Sequence, residues 1–415
     1  MRLRNMLVLS GAVALAACGG DSRPQTVGGA PVAGGGGGGG GTPTPTQTHS
    51  FVSPTDTKTY EGLGAVQHYE YFTDSNKSGQ GGQLYAGDAN TVRDSAISVS
   101  YNPRDAIFEL AITRPKGLVN VTAFRFQDPM HRTAFGGPLQ PQAGVPNFDA
   151  ARNIQYLEAG SQSGAQVSPT SPYYPGTANS DYPVLDDGGS SSLNTFFYQK
   201  PGTTTKYVTY AGFVRNGVSG AVQSPDENTE FLRESYNLDR AAFVFGERTG
   251  NSAVPKSGSG TFGGEMIASM VVNVDPTSRA DATGSTYLQW MQGRQDSIID
   301  FAALTVKSTF TGTLLAATRD AYTDGQFALP ASTAFSAEAA ATIDMINRGG
   351  FTGSFNSACF AAACTAANAL VIAGSSIDGA FFGPNGEEIG GGFRIVGGTP
   401  DQRIDILGAF VGKKP

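Results

Sequence analysis

The chain has 415 residues, of which 56 are glycine and 23 proline; 39% are hydrophobic and only 15% charged, with a net charge of −7. This composition excludes a coiled coil or long-helix protein, which needs many Ala, Glu, Lys, Leu and Arg, and 25 Phe with 15 Tyr exclude a fully disordered chain. Acidic residues outnumber basic ones and no basic stripe occurs, which argues against nucleic acid as a partner.

Residues 1–17 read as an address. Arg2 and Arg4 form a short basic region, and Met6 to Ala14 is an apolar run too short to span a bilayer but of secretory length. The run ends in Leu15-Ala16-Ala17-Cys18, which resembles the bacterial lipobox, so Cys18 is the expected lipidation site. An ordinary signal peptide with an incidental cysteine is the alternative. Several acyl chains on one residue would hold the protein firmly to a membrane, at about 0.8 kcal/mol per buried methylene. Gly19, not Asp, follows the cysteine, and in enteric-type bacteria this points to the outer membrane. Loss of Arg2 and Arg4 leaves 26 basic against 35 acidic residues, a net of −9.

Residues 18–48 read as a tether. Eight glycines, Gly34–Gly41, precede Thr-Pro repeats, and a flexible coil of this length reaches roughly 30 Å. From residue 49 to 235 the chain reads as a β-rich domain, because Ala96–Tyr101, Ala106–Ile112 and Val119–Phe126 alternate apolar and polar residues. Residues 158–192 are rich in Ser, Gly, Pro and Asp and read as one long surface excursion. Tyr173 and Tyr174 within it are the interface candidates, since tyrosine is enriched where surfaces dock.

Residues 236–415 read as a second domain, an antiparallel β-barrel or sandwich. Its strands are expected at Ala241–Gly246, Gly260–Val274, Ile298–Val306, Thr309–Ala317, Gly325–Pro330, Gly350–Phe355, Ser375–Phe382, Glu388–Ile395 and Ile404–Val411. Ser336–Arg348 is the best helix candidate, with the outer half of a long strand as its alternative. Trp290, with Tyr287, Leu288 and Met291, is expected to fill the barrel or cap its end; the sharper alternative is an exposed docking patch.

Chemistry is sparse. Cys359 and Cys364 enclose four residues, and in an exported protein the pair implies a small disulfide loop. The spacing fits neither zinc, which needs four ligands, nor a thioredoxin-type centre. His49, His68 and His131 are the only histidines; haem ligation by His68, His131 or a tyrosine stands against an ordinary structural role. Glu387 and Glu388 are paired carboxylates, as a glycosidase needs, but adjacent strand residues point to opposite faces. Hydrogen bonding to turn or neighbouring amides is the preferred reading. No catalytic residue, metal or cofactor is expected.

The stretch Ile377-Asp378-Gly379-Ala380-Phe381-Phe382-Gly383-Pro384-Asn385-Gly386-Glu387-Glu388-Ile389-Gly390-Gly391-Gly392-Phe393 resembles the barrel signature of transferrin-binding protein B-like surface lipoproteins. The closing Gly408-Ala409-Phe410-Val411-Gly412-Lys413-Lys414 and the stretch Gly246–Gly264 are similar to that family too, so the resemblance covers about 240–415. Gly386 stands where the family has Ala, and no transferrin-contacting motif is found in the N-terminal half. The resemblance implies an all-β protein: a handle-like domain over 49–235 and an eight-stranded barrel over 236–415 whose interior is filled with Phe, Val and Ile. It also implies a surface-exposed outer-membrane lipoprotein that captures an iron or haem source without enzymatic chemistry, for a membrane transporter. The competing reading is a structural or adhesive envelope protein without cargo.

Overall fold

A computed structural model describes residues 50–74, 96–113, 121–127, 144–163, 190–226, 229–274, 286–316, 329–346, 349–399 and 402–415. Cys18, the tether, His49, His131, Tyr173 and Tyr174 lie outside the described residues, and His68 is described as a backbone position only.

Eight strands form the first sheet: β1 (Lys58–Asp74), β2 (Ala96–Asn102), β3 (Ile107–Thr113), β4 (Val121–Gln127), β5 (Ile154–Ser163), β6 (Ser190–Gln199), β7 (Val208–Asp226) and β8 (Thr229–Gly246). Their order is β4-β3-β2-β1-β8-β7-β6-β5, antiparallel between neighbours. The sheet curls on itself, because apolar residues of β2–β4 share one core with those of β6–β8. Phe108 and Phe126 lie 5.5 and 5.7 Å from Phe196, and Phe124 lies 5.0 Å from Phe213. Such offset and edge contacts add to burial.

The next eight strands close a barrel: β9 (Ser259–Val274), β10 (Thr286–Asp300), β11 (Thr305–Leu314), β12 (Ala334–Asp344), β13 (Gly350–Cys359), β14 (Ile372–Phe382), β15 (Glu388–Thr399) and β16 (Gln402–Lys413). Alternation along each strand sorts side chains to two sides. Met266, Phe310, Phe393 and Phe410 join the interior core, which holds nine phenylalanines among the described residues and is packed, not open. Ile267, Trp290, Leu407, Ala409 and Val411 belong to a second core that the barrel wall shares with Phe197, Tyr210, Val214 and Val244 of the first sheet.

Glycine sits directly across from phenylalanine at four places: Gly212 opposite Phe197, Gly379 opposite Phe351, Gly408 opposite Phe393 and Gly391 opposite Phe410. A Cβ at the first three would come within 2.2, 2.0 and 2.2 Å of the facing ring, and at Gly391 within 2.7 Å, so each ring lies across its glycine. The turn after β14 needs glycine for another reason: Gly383 and Gly386 have φ of +88° and +72°.

Three sequence expectations are corrected. The strand expected at Ala241–Gly246 in the barrel is the end of β8 and belongs to the first sheet. Ser336–Arg348 is not a helix; its described part lies in β12 and the turn after it, and Ala337 to Ile343 alternates with the strand period. Alanine repeats carry little periodic signal, and neighbours on both sides, β11 and β13, decide the outcome. The single strand expected over Ile298–Val306 is the end of β10, a turn at residues 301–304 and the start of β11. Asp300 makes that turn by accepting the Ala302 and Ala303 amides at 2.9 and 2.8 Å.

Candidate functional site

The seam between the first sheet and the barrel holds the densest polar chemistry. Trp290 is 1% exposed and lies outside the barrel interior, which corrects the expectation that it fills or caps the barrel. Its ring is 5.5 Å from Phe197 and 6.2 Å from Phe148, and its indole N–H donates to the Gly144 carbonyl at 2.7 Å. Met291, one residue on, points the other way into the barrel core. Nothing in the sequence marked which of the two faces would be covered by another sheet.

Beside it, Arg152 donates to Glu265 Oε2 at 3.0 Å and to the Gly293 carbonyl at 2.9 Å. The Tyr210 hydroxyl and the Gln199 amide also donate to Glu265 Oε2, at 2.8 and 3.0 Å. Burial, and next the Glu265 charge, push the Tyr210 phenol up, so it stays a neutral donor. Arg152 follows a short 3-10 turn, Ala150–Arg152, that brings its guanidinium to the seam. This cluster joins the 3-10 turn, β6 and β7 to β9 and β10. Sequence reading missed it, since its members are spread from residue 152 to 293.

The paired carboxylates part company. Glu388 is 4% exposed and accepts the Lys206 and Tyr207 amides at 2.6 and 2.7 Å, tying the barrel to the β6–β7 turn. Burial raises its carboxyl; those amides oppose the shift. Glu387 accepts the Asn385 amide and side chain at 2.8 and 2.9 Å. Desolvation pushes the Glu387 carboxyl up, but the Asn385 hydrogen bonds outweigh it and leave the group below its ordinary value. Each carboxylate is an acceptor for amides, and they do not face a common space.

Cys359 and Cys364 are bonded, with Cα atoms 5.5 Å apart, and the Ser336 hydroxyl lies 3.1 Å from the Cys359 sulfur. The bond closes the start of the β13–β14 connection. Among the described residues, no three His, Cys, Asp or Glu side chains gather as metal ligands.

Glu158 on β5 is an unusual carboxyl of the first sheet. Burial pushes it up to about 8, partly offset by the Thr195 hydroxyl donating at 2.6 Å; its other oxygen has no partner among the described residues.

Topology divides the molecule into two ends. At one, hereafter the turn end, lie the start of β1, the β2–β3, β6–β7, β10–β11, β12–β13 and β14–β15 turns, the β4–β5 and β8–β9 connections and the C-terminus. A cavity of about 320 Å³ opens there, lined by Arg248, Asn251, Met345, Ile346 and Phe381 among others. From the opposite, loop end leave the connections spanning 75–95, 114–120, 164–189, 275–285, 315–333 and 360–371, beside the two-residue β7–β8 and β15–β16 hairpins. Tyr173 and Tyr174 belong to the one between β5 and β6.

Residues 254–414 match a family model described as the C-lobe and N-lobe β-barrels of Tf-binding protein B. Solved structures of transferrin-binding protein B also align. A variant from Haemophilus parasuis is 10% identical, with 85% of this chain and 76% of that chain covered and a TM-score of 0.27. The isotype 1 protein from serogroup B Neisseria meningitidis is 12% identical, with 87% and 77% covered and a TM-score of 0.21. A protein described as a surface lipoprotein is 13% identical over 49% of this chain and 76% of that one, at a TM-score of 0.19. No curated protein matches. Residues 254–414, which span the closed barrel described above, are similar to the β-barrels of Tf-binding protein B.

Proposed function

We propose that the chain is a lipid-anchored, surface-exposed outer-membrane protein that captures an iron or haem source for a transporter, without covalent chemistry. The observation that carries this reading is the barrel match to Tf-binding protein B, joined to a lipobox-like Cys18 at the far end of a 30-residue tether. The cargo is an iron-carrier protein, a haemoprotein or a small iron-bearing solute. Capture is placed at the loop end, where long connections converge on a rigid frame; binding residues concentrate on such loops. Buried carboxylates of the seam and of the turn after β14 serve the frame.

Immobilised full-length chain, offered haem, haemoproteins and iron-carrier proteins, tests the proposal. Saturable binding of one of them is expected. Replacing Pro169–Asp187 by a short Gly-Ser turn is expected to lower that affinity at least about tenfold while Tm stays within about 3 °C. Retention of envelope components alone, or of nothing, would favour a structural or adhesive envelope role.

A further inference from the structure

We propose that the turn end is a membrane-facing surface that seats against the anionic headgroups of the bilayer. The inference rests on the anchoring at Cys18 proposed above, and adds an orientation and a contact that the anchor alone does not dictate.

Three observations converge on this end. First, the described chain begins there: Phe51 packs 5.2 Å from Tyr60 and 5.7 Å from Phe245, beside the start of β1 and the end of β8. A tether arriving at Ser50 therefore reaches the turn end, not the loop end. Second, seven of the nine lysines in the sequence belong to it: Lys58, Lys200, Lys206, Lys256, Lys307, Lys413 and Lys414. Third, of the five large apolar side chains exposed among the described residues, four are here: Val52 at 43%, Ile298 at 60%, Leu304 at 47% and Ile346 at 94%. Single exposed aliphatics are ordinary, but their concentration at one end is not scatter.

The acidic residues of this end keep their charge, but among the described residues only Glu247 forms an ion pair with a lysine. Glu247 takes Lys58, and Glu61 takes Arg248 at 3.3 Å. Asp300 and Glu387 accept amides of their own turns, Asp344 accepts the Ile346 amide at 3.1 Å and Glu388 is buried. Asp105 is bonded to Asn102, and Asp56 to Thr55. Lys200, Lys206, Lys256 and Lys307 are exposed and form no ion pair among the described residues. Aliphatic tips set among outward lysines suit an interface in which methyl groups enter the headgroup layer and ammonium groups meet lipid phosphates. Each contact is weak, yet a tether of roughly 30 Å holds the end at high effective concentration over the membrane, so weak contacts suffice.

The test uses the full lipidated chain on phosphatidylglycerol-containing vesicles, with pure phosphatidylcholine vesicles as the control. A nitroxide is placed at Ile346→Cys or, at the far end, at Ser219→Cys. Accessibility to an aqueous nickel chelate should fall about fivefold or more at position 346 on anionic vesicles and stay unchanged at 219. Each lysine among 200, 206, 256 and 307 changed to Gln should weaken the protection up to roughly fivefold. Trp290 fluorescence reports that these variants remain folded. An anchored chain equally accessible at both positions would overturn the proposal and leave the anchoring intact. A chain that vesicles do not retain would overturn both. Protection seen only on adding envelope protein would assign the surface to a protein partner and overturn the lipid reading.

Discussion

At the turn end, β10 passes into β11 through residues 301–304 and β14 into β15 through 383–387; at the loop end, β5 reaches β6 only after residues 164–189 and β1 reaches β2 after 75–95. Most strands thus end in two different ways, although β4 reaches β5 by a long connection from the turn end and β7–β8 and β15–β16 are two-residue hairpins at the loop end. Tight turns are closed by their own carboxylates, as Asp300 and Glu387 show. Their sequences are fixed by local geometry and offer little freedom. Long connections meet no such demand, because lengthening a loop costs only slowly increasing entropy. The contrast separates the part of the chain that sets stability from the part free to vary with a ligand.

That separation can be broken most forcefully at the seam. Trp290→Ala should destabilise the chain by about 3–5 kcal/mol, since it empties the contact with Phe148 and Phe197 and leaves the Gly144 carbonyl without its donor. Urea unfolding measures it, and a loss below about 1 kcal/mol would mean that the two sheets do not depend on this contact. The adjacent glutamates sharpen the comparison within the turn end. Glu388→Ala should cost about 2–4 kcal/mol by stranding the Lys206 and Tyr207 amides, whereas Glu387→Ala, at an exposed turn, should cost under about 1 kcal/mol. Equal losses in thermal unfolding would contradict their different burial.

Glu158 probes the first sheet through pH. Its folded value lies above its unfolded one, so its contribution is whole below about pH 4.5 and is lost as pH rises towards about 8. Glu158→Gln should therefore flatten the fall in stability across that window and leave the variant more stable by roughly 2 kcal/mol at pH 8. An unchanged slope in a pH series of denaturant midpoints would place the Glu158 charge in solvent. A modest effect is expected at the loop end: opening Cys359–Cys364 by changing both to Ala should cost about 2 kcal/mol or less, because the closed loop is short. Cargo binding in this variant should match the natural chain unless the β13–β14 connection itself makes contact.

Much of the barrel was legible, and for specific reasons. Gly383-Pro384-Asn385-Gly386 reads as a turn because its residues set dihedrals locally, and Glu387 and Glu388 follow it at strand parity. Ile404–Val411 is buried along its whole length, one face in the barrel interior and the other under the first sheet, so its apolar run marks the strand. The β12 strand was harder, since its Ala-rich run satisfies helix and strand alike until β11 and β13 flank it. The seam was not legible at all. Trp290, Glu265, Arg152 and Tyr210 meet only after two sheets pack, and a sequence carries no period for that event. Tyr173 and Tyr174 remain sequence expectations, as their connection is outside the described residues.

The glycines that lie across from Phe197, Phe351, Phe393 and Phe410 also constrain how this protein can change over time. Each ring occupies the space where its partner's side chain would be, so neither residue of a pair can drift alone: a methyl group on the glycine collides, and a smaller residue in place of the ring uncovers backbone. Descendants of this sequence should therefore keep or exchange these residues as couples. In a chain whose glycine content suggests looseness, these four act as fixed points, and strand register can be traced between distant relatives by following them.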